Sequence, residues 1–232
     1  MRLIGMVHLP PLPGSPRWDG SMERAIAVAL ADARALIDNG MDALIIENYG
    51  DAPFTAGRVA AATVAAMAVI AHEIRRALPD APLGVNVLAG AVVADQGIVQ
   101  TDAHDLLRDR RLLGVDVAIF ADVQGKHAVP LAPVELEQQA RDLAARALAD
   151  GLVVSGRATG DATPIEDVKR VRSAVPDVPI LVGSGVTPET APELLSLADA
   201  LIVGTSLKRD GDVSSPVDPA RVRRLVDAVG GR

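Results

Sequence analysis

Seven short apolar runs, each unbroken, alternate with helical segments along the chain: LIGMVHL (3–9), ALIIEN (43–48), LGVNVL (83–88), VAIFADV (117–123), LVVSG (152–156), ILVG (180–183) and ALIVG (200–204). A strand covered on one face alternates apolar and polar residues. A strand covered on both faces reads as a continuous apolar run. The pattern therefore predicts a parallel sheet with helices packed over it. Helix boundaries can be read between the runs. Ser21 caps a helix to about Asn39, and Gly40 suits its stop. An alanine-rich helix over 57–78 ends at Pro79. A helix over 102–113 ends at Gly114, and another covers about 135–149. Thr163-Pro164-Ile165-Glu166 has the form of a capping box, opening a helix that ends near Pro176. A helix at about 188–197 and one from Asp218-Pro219 to Gly230 complete the series.

No low-complexity linker divides the 232 residues, which predicts a single barrel domain over 1–232. Repeated strand–helix units of this length suit a closed barrel or a doubly wound sheet. No G-x-G-x-x-G follows the first strand, which weighs against the dinucleotide-binding version. A barrel built from these runs would be a TIM-type α/β barrel of seven parallel strands instead of eight.

Composition removes several functions. There is no cysteine, so thiolate catalysis, disulfides and cysteine-held zinc are excluded. A net charge of −7 argues against a nucleic-acid partner and for a cytoplasmic protein. The longest apolar run, VAAATVAAMAVIA (59–71), is shorter than the roughly 20 residues of a membrane span. Pro10 interrupts the apolar N-terminus too early for a signal peptide. Arginine outnumbers lysine 20 to 3, so Lys126, Lys169 and Lys208 stand out, two of them beside strand ends.

Polar residues gather at the C-terminal ends of the runs: His8, Glu47 with Asn48, Asn86, Asp122, Ser155, Ser184, and Thr205 with Ser206. In a barrel these ends form one face, where substrates bind. Two ends carry glycine beside hydroxyls: Gly183-Ser184-Gly185 and Gly204-Thr205-Ser206. Glycine lets backbone approach a ligand, and free N–H groups attract anions. Two such turns on the last two strands point to a phosphate cradle; tight turns with Thr187 as a helix cap are the plainer alternative.

The loop ADVQGKHA (121–128) places Asp122, Lys126 and His127 past a strand end. A carboxylate, an amine and an imidazole can share proton transfer or hold an anionic substrate; a solvated loop with a basic pair is the alternative. Glu47 is the other acid/base candidate. His8, Asn48, Asn86 and Ser155 are candidates for substrate contact, although His8 can equally be a structural histidine. Asp51 reads as a turn residue. No ligand spacing for a metal appears, and neither metal nor cofactor is expected.

Taken together, GMVHLPPLPGSPRW (5–18), ALIIENYGDAPF (43–54), LGVNVL (83–88), ADQG (94–97), ADVQGKHA (121–128), SGRATGDAT (155–163), GSGVT (183–187) and ALIVGTSLK (200–208) resemble the BtpA/SgcQ family. The resemblance covers almost the whole chain. It implies a TIM-type barrel of the ribulose-phosphate-binding kind, with no settled reaction, and its best-known member is a photosystem I biogenesis protein. Two function classes follow: an enzyme acting on a small phosphorylated metabolite, or a non-catalytic assembly factor. The family pattern has two similar strands ending in N-V-L before a D-Q-G loop. Here NVL (86–88) runs directly into AGAVVADQG, as if the two segments were fused and one helix and one strand lost. Such a loss leaves a seam, to be packed by 89–100 or by a second subunit in a homo-oligomer. A smaller departure is Gln124-Gly125, where the family has a branched apolar residue.

Overall fold

A computed structural model describes residues 2–55, 57–88, 103–125, 133–156 and 160–230. Lys126, His127 and the segment 89–100 lie outside the described residues. The chain forms two compact units: 1–91 with 186–192 and 202–232, and 92–185 with 193–201.

The first unit contains β1 (Leu3–His8), α1 (Met22–Ile37), β2 (Ala43–Glu47), α2 (Ala61–Ala77) and β3 (Leu83–Asn86). In the second lie α3 (Ala103–Leu113), β4 (Phe120–Asp122), α4 (Leu136–Ala145), β5 (Gly151–Ser155), α5 (Ile165–Ala174) and β6 (Ile180–Gly183), while α6 (Ala191–Leu195) begins in the first and ends in the second. The last strand, β7 (Ala200–Val203), begins in the second unit and ends in the first, and α7 (Pro219–Ala228) belongs to the first. The strand order is β3-β2-β1-β7 in the first unit and β7-β6-β5-β4 in the second. The pairs β1–β2, β2–β3, β4–β5 and β5–β6 are parallel. The described residues thus hold seven strands, as the apolar runs predict.

Helix ends follow the sequence signals with one exception. Ser21 Oγ accepts the Arg24 N–H and Asp218 accepts that of Ala220, both ordinary N-caps. Thr163 does not close a capping box. The residue preceding α5 is Pro164, with no side-chain cap bond. The Thr163 hydroxyl turns instead under the end of β6 and donates to Gly183 O at 2.6 Å. A buried hydroxyl needs a partner, and the strand-end carbonyl offers a better one than a half-solvated helix start.

A device invisible to hydropathy alone fixes the opposite ends of the strands. Asp42, Asp150 and Asp199 each stand just before a strand, in DALII, DGLVV and DALIV. The Asp42 N–H donates to Leu3 O, that of Asp150 to Ile119 O, and that of Asp199 to Ile180 O, at 2.8–2.9 Å. In return each carboxylate accepts the backbone N–H of the same neighbour: Leu3 at 3.1 Å, Ile119 at 2.7 Å and Ile180 at 2.8 Å. Arginine reinforces two of them, Arg110 on Asp150 at 2.5 Å and Arg172 on Asp199 at 2.6 Å. The start of each strand is therefore clamped to its neighbour by a reciprocal pair. Asp116, in GVDVAIF, likewise precedes an apolar run, but β4 itself begins only at Phe120. It is exposed and has no hydrogen bond or ion pair among the described residues.

One buried ion pair closes the first unit. Lys208 Nζ lies 2.5 Å from Asp32 Oδ2 of α1, with side chains 2% and 4% exposed. Asp32 Oδ1 also accepts the Val217 N–H at 2.8 Å. The lysine that stands out beside a strand end is thus committed to the helical layer.

Candidate functional site

Parallel register sets the first group. His8 pairs with Glu47, and Glu47 with Asn86, so the ends of β1, β2 and β3 lie at one level. Asn86 Nδ2 donates to Glu47 Oε2 at 2.7 Å, and His8 Nε2 stands 4.0 Å from Glu47 Oε1. The His8 and Glu47 side chains are only 8% and 12% exposed. Tyr49 meets the imidazole edge-on, with ring centroids 5.1 Å apart. A carboxylate oriented by an amide beside an imidazole has the components for acid/base chemistry.

Gly204, at the end of β7, belongs to this group for a steric reason. A Cβ there would lie 2.6 Å from His8 Cε1 and 3.1 Å from Met6 Cβ. The glycine leaves room for the imidazole, whether or not an anion binds beside it. Its neighbours are already engaged. Thr205 opens a 3-10 turn to Leu207, and Ser206 Oγ donates to Val186 O at 2.6 Å. Arg221 of α7 supports that turn from Nη1 to Ser206 O at 3.3 Å.

Asn48 is fully buried. Its amide nitrogen donates to Asp51 Oδ2 at 3.0 Å and Leu88 O at 3.1 Å, and its oxygen accepts the Leu88 N–H at 2.6 Å. These bonds tie the end of β2 to the chain following β3. Asp51, which reads as a turn residue in sequence, is also buried and accepts the Leu12 N–H at 2.7 Å. Gly50 explains the rest of that motif: a Cβ would meet the backbone of Pro10 and Pro11 at 2.5 Å. The stretches HLPPLPG and ENYGD therefore pack backbone against backbone.

The second unit carries the other glycine turn. Ser184 and Gly185 have φ of +72° and +62°. The left-handed region is strained for serine and easy for glycine. Gly185 is also steric, since a Cβ would strike Ala162 at 2.4 Å. Asp161, Ala162 and Thr163 thus lie against GSG, with Thr163 bonded beneath it. Ser184 Oγ is buried and has no hydrogen-bond partner among the described residues. In the same unit Ser155 Oγ donates to Asp122 Oδ1 at 3.4 Å, across the paired ends of β4 and β5. Of the ADVQGKHA loop, Asp122 is placed, whereas Lys126 and His127 lie outside the described residues. No group of three or more possible metal ligands occurs among the described residues.

Parallel strands alternating with helices, with polar side chains at their C-terminal ends, define the TIM-type α/β class. Solved structures agree on the fold. A thiamine phosphate pyrophosphorylase from Pyrococcus furiosus superposes with a TM-score of 0.60 at 14% identity, over 98% of this chain and 95% of that one. A phosphoribosyl anthranilate isomerase from Thermus thermophilus gives 0.55 at 18% identity, over 99% and 98%.

The chain belongs to the BtpA family, whose sequence model matches residues 1–94 and 83–231. It is 39% identical to the photosystem I biogenesis protein BtpA of Synechocystis over 98% of this chain and 87% of that protein. It is 40% identical to an uncharacterised protein of Pyrococcus furiosus over 97% and 93%. The two family matches overlap at 83–94, so one stretch aligns to two places. A fusion of the family's two similar segments produces such an overlap. The alignment with the Synechocystis protein spans 251 positions, more than the 232 residues of the chain.

Proposed function

We propose that the protein binds a small phosphorylated metabolite; in the first unit Glu47 is the candidate acid/base, with His8 and Asn86 holding the carboxylate in place. One observation carries the phosphate part: the Ser184 hydroxyl, buried and unpartnered on a left-handed turn beside Gly185. A buried hydroxyl without a partner costs about 1–3 kcal/mol, and a ligand oxygen that accepts from it removes that cost. Gly204, Thr205 and Ser206 are the corresponding candidates in the first unit. Asp122 remains the alternative acid/base candidate, Lys126 and His127 candidates for steering or polarising the substrate, and Ser155 for contact with it. The names of the two solved neighbours also contain phosphorylated compounds, which supports the ligand class.

A second reading is a non-catalytic assembly factor, favoured by the name of the Synechocystis relative. A thermal-shift panel of phosphorylated metabolites beside their dephosphorylated forms separates the two. A ligand at 100 times its dissociation constant stabilises by about 2.7 kcal/mol. Stabilisation by a phosphorylated member, followed by its turnover with wild type and loss of turnover with Glu47→Gln, is the expected result. No stabilisation by any member favours the assembly reading.

A further inference from the structure

The first unit contains a cavity of about 300 Å³ that the phosphate reading does not use. Its floor is formed by Asn48, Asp51 and Thr63, which are 0%, 7% and 3% exposed. Its walls include Pro16, Pro53 and Phe54, and the phenyl ring is 38% exposed. The volume suits a small ring or a short chain.

The hydrogen bonds of the floor determine what such a group must offer. Both amide hydrogens of Asn48 are used, one by Asp51 and one by Leu88 O. Thr63 gives its hydroxyl hydrogen to Pro13 O at 2.9 Å. Asp51, as a carboxylate, has only acceptors; the Leu12 N–H and the Asn48 amide occupy one site on each oxygen. An ionised carboxylate has about four such sites, so further acceptor capacity remains. The three buried side chains of the floor therefore accept and no longer donate. Moreover, no cation forms an ion pair with Asp51 among the described residues. Buried carboxylates are ordinarily paired, and this one lines an open cavity.

We propose that this cavity binds a cationic nitrogen carried on an apolar ring or stem, with the nitrogen on Asp51 and the ring against Phe54. An anion is disfavoured, because the floor offers negative charge and no side-chain donor, and the only hydroxyls left to donate among the described lining residues are those of Ser15 and Thr55. The site is thus opposite in character to the Ser184 turn, and its test is independent of phosphate binding.

Benzylamine, benzyl alcohol and benzoate share a ring and differ in the head group, so they serve as probes. Each is titrated into the protein while backbone amide NMR signals are followed. Benzylamine is expected to shift Leu12, Asp51 and Phe54 saturably, with weaker binding by benzyl alcohol and none by benzoate. Asp51→Asn keeps an acceptor for Leu12 and removes the charge; it should weaken benzylamine at least about tenfold. Phe54→Ala, at an exposed position, should weaken it without unfolding the chain and tests the site should Asp51→Asn fail to fold. Benzoate or benzyl alcohol binding as well as benzylamine overturns the proposal. So does undiminished benzylamine binding in either variant, or shifts confined to other residues. Orthophosphate titrated separately reports on the Ser184 turn, so either reading can fail alone.

Discussion

The two ends of a single strand differ sharply. At its start, β6 is held by Asp199, whose carboxylate takes the Ile180 N–H and the Arg172 guanidinium. At its other end, the chain turns through left-handed backbone at Ser184 and Gly185, and a buried hydroxyl has no partner. One end satisfies its polar groups; the other leaves one available. Similar clamps hold β1 through Asp42 and the residues before β4 through Asp150. The described clamps lie at strand starts and the proposed ligand chemistry at strand ends, the division expected of this fold class.

Lys208 departs from that division, and its loss has the largest predicted effect. It follows the end of β7, yet it stabilises the helical layer through Asp32. Removing one partner of a buried ion pair leaves the other charge uncompensated, at a cost of about 3–5 kcal/mol. Lys208→Ala should lower unfolding stability by that amount in a urea titration. A change under about 1 kcal/mol would mean that the pair is solvated and the layer is not held there.

Asp199→Ala comes next. It leaves the Ile180 N–H without its side-chain acceptor, and about 1–3 kcal/mol should be lost. The acid limb offers a second reading of the same clamp. Burial pushes the Asp199 carboxyl up, but the Ile180 N–H and Arg172 outweigh it and hold the group below the usual carboxylate range. A depressed folded value contributes stability that is complete above the unfolded value of about 4 and lost as pH falls through the folded value. Wild type should therefore lose stability more steeply than Asp199→Asn in that window. Equal slopes would remove Asp199 from the acid response.

The smallest effect is expected at Asp116. It precedes an apolar run as the three clamping aspartates do, but β4 begins only at Phe120 and Asp116 has no partner among the described residues. In the strand order β4 is terminal, and the overlapping family matches put the lost unit just upstream. On the fusion account, the strand that Asp116 would clamp is the one removed. Asp116→Ala should change stability by less than about 0.5 kcal/mol. A loss comparable with that of Asp199→Ala would show that a neighbouring strand is present after all. Helix α3 buries none of its residues, and Leu112 and Leu113 are 77% and 73% exposed. Helix α1, by contrast, buries Ala25, Ala29, Ala33 and Leu36.

Hydropathy made the strands legible, because a doubly covered strand has no polar face to interrupt it. Glu47, His8 and Asn86 were legible as strand-end residues, since parallel register brings equivalent ends level. Three features were not. Thr163 looks like a helix cap because its local pattern is one, and only the packing of 161–163 against 183–185 sends its hydroxyl elsewhere. Asp51 looks like a turn residue because its partners, Leu12 and Asn48, are set by the fold. The aspartate clamps did leave a signal, the repeated D-(A/G)-L before three strands, but charge at a strand start reads as solvated loop until its neighbour is known.

Orthophosphate titration by calorimetry tests the division of β6 most directly, with wild type, Ser184→Ala and Asp199→Ala compared alongside their melting temperatures. Wild type should bind. Ser184→Ala should melt at or above the wild-type temperature and bind at least about tenfold more weakly. Asp199→Ala should melt lower and, while folded, bind as wild type does. Absence of phosphate binding in wild type, or full binding by Ser184→Ala, would contradict the account.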